Sequence, residues 1–121
     1  MYSIIVRTQF DFAHRYENAT GDFHYLKNLH RHKFFVEIEV EVGHDDREIE
    51  FLALKKEIDK YISQCCDGKW KDTMSCEMMC KELFKQIVHL YGLDRKISIS
   101  IFEDNENGGK MTHVPDNDRY K

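Results

Sequence analysis

Residues 29–42, LHRHKFFVEIEVEV, decide how this chain folds. Side chains of a β-strand alternate between its two faces. On that count His30, His32, Phe34, Val36, Ile38 and Val40 share one face, while Arg31, Lys33, Phe35, Glu37, Glu39 and Glu41 share the other. One face is apolar and opens with two imidazoles. The opposite face is charged, and its row Glu37, Glu39, Glu41 reads as a solvated or intersubunit surface. The stretch is therefore a half-buried strand of an antiparallel sheet, and its mouth places two metal-ligating side chains on the core side.

The N-terminal neighbour, YSIIVRTQFDFA (residues 2–13), alternates in the same way. Tyr2, Ile4, Val6, Thr8, Phe10 and Phe12 fall on one face, and the count carries His14 onto that face. Residues 15–29 show no period and contain Asn, Gly and Asp, which reads as a loop. If the two strands form a hairpin across it, the end of the first lies beside the start of the second. His14, His30 and His32 then converge. Three imidazoles leave one tetrahedral position open, the pattern of a catalytic zinc site. Separate histidines satisfied by ordinary hydrogen bonds are the alternative.

Toward the C-terminus the period changes. Phe51, Leu54, Ile58, Tyr61 and Ile62 fit one face of a first helix. After the connector QCCDGKWKDTM, Ser75 is placed to cap a second helix, with Glu77 in its first turn, where the helix dipole favours an anion. Its apolar positions are Cys76, Met79, Cys80, Leu83, Ile87 and Leu90 or Tyr91, and Gly92 suits its end. KISISIFED (96–104) is a third strand with Ile97, Ile99 and Ile101 on one face, which Glu103 continues. DNENGGK reads as a hairpin loop, KMTHV as a short fourth strand, and 115–121 as a loose tail. The order β-β-α-α-β-β is α+β, with an antiparallel sheet and two helices on one face.

Composition excludes several classes. With 121 residues, 41% hydrophobic and 33% charged, the chain fits one domain with a modest core, a polar balance that hints at self-association. The formal net charge is −4 and basic residues are interleaved with acidic ones, which argues against a nucleic-acid partner. No run approaches the ~20 apolar residues of a membrane span. The first residues lack the pattern of a signal peptide, so cytoplasmic residence is expected. In that compartment Cys65, Cys66, Cys76 and Cys80 are expected to be reduced, and their spacing fits packing better than a zinc ribbon. Glu103, a carboxylate on an all-isoleucine face, is either solvated at the strand end or buried with specific donors, since burying an unpaired charge is costly.

The pieces FDFAHRY, LHRHKFFVEIEV, EFLALKKEI, SCEMMC and IFEDNENGG, in that order and approximate spacing, resemble the 6-pyruvoyl-tetrahydropterin synthase and 6-carboxy-tetrahydropterin synthase family over nearly the whole chain. The resemblance implies a single tunnelling-fold domain over residues 1–121, whose ββααββ units assemble as a homotrimer or homohexamer around a β-barrel. It implies Zn2+ as cofactor, held by His14, His30 and His32, with Glu103 holding the ring of a reduced pterin substrate and Glu77 in support. It further implies lyase chemistry on 7,8-dihydroneopterin triphosphate. The foremost expectation is the 6-carboxy-tetrahydropterin synthase reaction of 7-deazapurine and queuosine biosynthesis. The 6-pyruvoyl reaction, or a silent pterin- or purine-binding relative, are the alternatives.

The chain departs from the family's proton-transfer machinery. Where the family has a catalytic cysteine, four residues before the first H-x-H histidine, Leu26 stands. The connector between the helices is short and has no Asp-His pair. The residue between the two metal histidines is Arg31, which a regular strand turns away from the metal. Asp22, His24 and Tyr25 are substitutes in the right loop, and His24 is the candidate catalytic residue because its unperturbed pKa of ~6.5 lies near neutrality. Cys65 and Cys66 could enter from the connector, but no charged partner is evident that would activate either.

Overall fold

A computed structural model describes residues 1–116 and 120. The two alternating stretches form strands β1 (Tyr2–His14) and β2 (His30–Val42). They are followed by helices α1 (Phe51–Gln64) and α2 (Cys76–Tyr91), then strands β3 (Ile97–Glu103) and β4 (Gly108–His113). The strands lie in the order β1-β2-β3-β4, antiparallel throughout. The expected ββααββ arrangement is thus observed.

Both helices cover the same face of the sheet, α1 against β1 and α2 against β3 and β4. The core lies between these layers. Phe34, Val36, Ile38 and Val40 of β2 and Ile97, Ile99 and Ile101 of β3 meet Leu54, Ile58 and Ile62 of α1 and Met79, Cys80, Leu83 and Ile87 of α2. Periodicity named nearly all of these. Phe51 is the exception: it is exposed, because it opens α1 ahead of the turn that reaches the sheet. No helix among the described residues is long and apolar enough to cross a membrane.

Local chemistry sets the ends of the helices. The Ser75 hydroxyl accepts from Met78 N–H at 3.1 Å, satisfying one of the free donors at the start of α2. Gly92, at φ 83°, ends it. Helix α1 runs into a wider turn over Cys65–Lys69, closed by Trp70 N–H donating to Cys65 O at 2.9 Å. The indole edge then meets Phe10 and Phe12.

Two segments are more ordered than their composition suggests. The 15–29 loop contains a short 3-10 helix, Gly21–Lys27, and Tyr16 N–H donates to Leu26 O at 2.7 Å, folding the loop onto itself. The β3–β4 hairpin is tighter than expected, since β4 starts at Gly108. Asp104 and Asn105 both have positive φ, 53° and 58°, and Glu106 N–H donates to Glu103 O at 2.9 Å. Glu103 N–H also donates to Asn107 O at 2.8 Å, so the loop is the three residues 104–106, and Asp and Asn tolerate its left-handed conformation. Of the tail read as loose, Pro115 is buried and the Tyr120 hydroxyl donates to the Glu41 carboxylate; residues 117–119 and 121 lie outside the described residues.

Candidate functional site

Strand register builds the site. His14 pairs directly with His30, Phe12 with His32, and Phe34 with both Phe10 and Glu103 across its two neighbours. Residues two apart on β2 point the same way, so one histidine from β1 and two from β2 crowd one spot at the mouth of the hairpin. Their ring centroids are 4.7 Å (His14–His30), 4.9 Å (His30–His32) and 5.4 Å (His14–His32) apart. One ligand nitrogen from each lies within 4.8 Å of the others.

The second nitrogen of every ring is already engaged. Nδ1–H of His14 donates to Met74 O at 2.9 Å, that of His30 to Asn28 O at 2.8 Å, and that of His32 to Asp104 Oδ2 at 2.7 Å. A carbonyl or carboxylate oxygen can only accept, so each Nδ1 carries the proton and each Nε2 of the neutral ring keeps its lone pair. Two Nε2 atoms also face Glu103: His14 Nε2 is 3.2 Å from Oε1 and His32 Nε2 is 3.4 Å from Oε2. Acceptors facing acceptors are relieved by a positive charge between them, a proton on Nε2 or a metal ion. The three ligand nitrogens, one from each histidine, form a cluster able to hold a metal ion.

Beneath the histidines lies a cavity of about 620 Å3, a size suited to a small-molecule ligand. His14, His30, Glu103, Glu77, Cys76 and Leu26 are among its lining residues. Glu103 is neither wholly solvated nor buried: its side chain is 36% exposed and paired with the two imidazoles. Glu77 packs against β4 so closely that a Cβ on Gly109 would meet its Oε1 at 2.6 Å. A side chain at this position would displace the Glu77 carboxylate from its place in the cavity, a role hidden in a segment read only as loop.

The structure thus brings together His14, His30, His32, Glu103 and Glu77. It places His24 apart from them, exposed on the 3-10 helix and outside the cavity wall, with Asp22 and Tyr25 exposed beside it. Leu26 is the member of that loop that reaches the cavity. The four cysteines are free thiols. Burial pushes Cys65 up, Cys66 and Cys76 up to about 11, and Cys80 up to about 12. For Cys76 the carboxylates of Glu103 and Glu77 add to that rise. These thiols stay protonated near neutral pH, as packing residues would.

Residue types alone could not show the groups that hold the imidazoles. Met74 and Asn28 act through backbone carbonyls, which leave no mark in sequence. Asp104 had a visible signal, an Asp-Asn pair directly after the strand that ends in Glu103.

A family model described as 6-pyruvoyl tetrahydropterin synthase matches residues 3–113. This chain belongs to that family. The match runs from the second residue of β1 to the last of β4, so it takes in the three histidines, both helices and the hairpin turn. No curated protein matches the chain. The family acts on small-molecule pterin substrates and is commonly metal-dependent, and membership supports a tetrahydropterin synthase-like function.

Proposed function

We propose that this member of the family is a zinc-dependent lyase of the 6-carboxy-tetrahydropterin synthase type. Its substrate would be 7,8-dihydroneopterin triphosphate, in 7-deazapurine and queuosine biosynthesis. The observation that carries the reading is the convergence of three Nδ1-tethered imidazoles at the edge of a cavity that also holds two carboxylates. Zinc held by His14, His30 and His32 supplies Lewis acidity toward the hydroxyls of the substrate side chain. Glu103 accepts from the adjacent N–H and NH2 groups of the pterin ring, a charge-assisted pair of bonds that orients the side chain toward the histidines. Glu77, fixed against Gly109, narrows the same pocket. Leu26 adds an apolar side chain to the cavity wall. His24 stands outside the cavity wall of this chain, so it can serve as the proton carrier only if the loop or a neighbouring chain brings it to the substrate; turnover lost in His24→Ala is the sign of that role.

The open edges β1 and β4 support assembly of three or six chains around a barrel, as homotrimer or homohexamer. Elution as a stable monomer in size-exclusion chromatography would count against it.

A second reading is favoured by one observation. Leu26, an aliphatic side chain, occupies the cavity wall where the family places its proton-moving thiol. On that reading the chain is a receptor for a reduced pterin or purine. Incubation of zinc-loaded protein with 7,8-dihydroneopterin triphosphate, followed by mass spectrometry, separates the two. A product of carboxy mass supports the first reading, and a product of pyruvoyl mass moves the assignment to the 6-pyruvoyl reaction. Tight binding without turnover makes the chain a receptor. Absence of binding removes the pterin altogether.

A further inference from the structure

Among the three groups that fix the metal-site histidines, one carries a charge. His14 and His30 donate to the neutral backbone carbonyls of Met74 and Asn28, whereas His32 donates to the Asp104 carboxylate at 2.7 Å. The same carboxylate accepts from Lys33 N–H at 3.1 Å, and Asp104 N–H donates to Lys33 O at 2.7 Å. Asp104 therefore straps the hairpin turn to β2 through both backbone groups of Lys33 and holds the neighbouring imidazole with its remaining oxygen. Its two donors draw its carboxyl below the usual carboxylate range, the His32 bond being the larger cause. Its positive φ of 53° aims the side chain back at β2, away from the hairpin end.

We infer that Asp104 is a positioning residue for the metal centre: it locks His32 in the Nδ1–H tautomer, aims Nε2 at the metal, and raises the basicity of that one ligand. This rests on the three-histidine metal site proposed above. A carboxylate on the far nitrogen of a metal-bound imidazole pulls the N–H proton toward itself and leaves more electron density on the ligating nitrogen. Loss of such a partner typically lowers metal affinity by about 10–100-fold. Asp104 is half exposed, so the lower end of that range is expected here.

The substitution that isolates this role is Asp104→Asn. Asparagine tolerates the same backbone conformation. Its single amide oxygen can serve Lys33 N–H or His32 Nδ1–H, but not both. When the NH2 group faces His32, Nδ1 must accept, and the proton moves to Nε2, the atom needed for the metal. Asp104→Gly keeps the turn and removes both side-chain bonds.

The test measures zinc affinity of the full-length chain by competition with a chromophoric chelator, with the Co2+ d–d spectrum as a second readout. Long-range 1H–15N correlation of the histidine rings gives the tautomers in the wild-type protein. The expected result is about tenfold weaker binding in both variants, with a shifted Co2+ band, and a wild-type His32 whose proton sits on Nδ1. Wild-type affinity and band position in a folded Asp104→Asn protein would overturn the inference. A wild-type His32 carrying its proton on Nε2 in the metal-free chain would overturn it as well, without relying on any variant. Failure of the metal-site reading is a separate outcome, in which the wild-type chain binds neither ion and His30→Ala changes nothing.

Discussion

The mouth of the β1–β2 hairpin and the segments 15–29 and 65–75 border one cavity, yet they are built by different means. At the mouth, position follows from register: His14 faces His30 and Phe34 faces Glu103 because the strands pair residue by residue. In the two connecting segments, position follows from single hydrogen bonds, such as Tyr16 N–H to Leu26 O and Arg15 N–H to Asp72 O, both 2.7 Å. A strand cannot shift one ligand without turning every side chain to the other face. A loop can exchange one side chain for another at little cost to the fold. The three histidines and Glu103, which the resemblance assigns to the site, are borne on strands, and apart from Arg31 the departures from the family's pattern fall in the connecting segments, with Leu26 in place of a thiol and no Asp-His pair. Metal and ring binding, on this view, are fixed by the sheet, whereas proton transfer is open to rebuilding.

The contrast breaks first at the histidines. His32→Ala should remove bound zinc, from about one per chain to almost none by elemental analysis, because two imidazoles cannot replace three. Zinc retained at full content would mean that the strands do not carry the site. Glu103→Gln separates the two functions of the sheet. It should weaken pterin affinity by about ten- to a hundredfold in calorimetry, the worth of hydrogen bonds to a charged acceptor. Zinc content should stay unchanged, and a parallel loss of zinc would show that Glu103 serves the metal instead of the ring.

The turn at the strand end can be probed through stability. A Cβ on Gly108 would lie 1.9 Å from Ile101 O, so Gly108→Ala should destabilise the fold by about 2 kcal/mol in urea titrations. An unaffected midpoint would show that the hairpin yields easily and that its geometry does not hold Glu103. The smallest effect is expected beside the connector. Ser75→Ala should cost about 1 kcal/mol by the same method, through loss of the cap on Met78 N–H. A much larger loss would show that the connector is held as firmly as the sheet.

Period two in residues 2–14 and 30–42 put the three histidines on one face, and the expected hairpin across residues 15–29 then brought them together. The helices were equally legible from Leu54, Ile58 and Ile62 and from Met79, Leu83 and Ile87. The 3-10 helix at 21–27 was not, because a segment without an apolar stripe gives no period to read. Nor were the tethers of the imidazoles, since two of the three are main-chain carbonyls. The closeness of Gly109 to Glu77 stayed hidden because its partner lies thirty-two positions earlier in the chain. The position of His24 depends on how the loop closes, and its residue type alone could not reveal that it stands outside the cavity wall.

The three Nδ1 tethers have a thermodynamic consequence beyond aiming lone pairs. They tie β1 to the connector at Met74, β2 to the end of its own loop at Asn28, and β2 again to the hairpin turn at Asp104. An ion that gathers the three rings thereby fastens segments that lie up to 72 residues apart in the chain. Free metal then acts as a variable of the folding equilibrium: a ligand at 100 times its Kd adds about 2.7 kcal/mol to the native state. The melting temperature of this protein should rise with the logarithm of zinc activity, and its loops should register that activity before its sheet does.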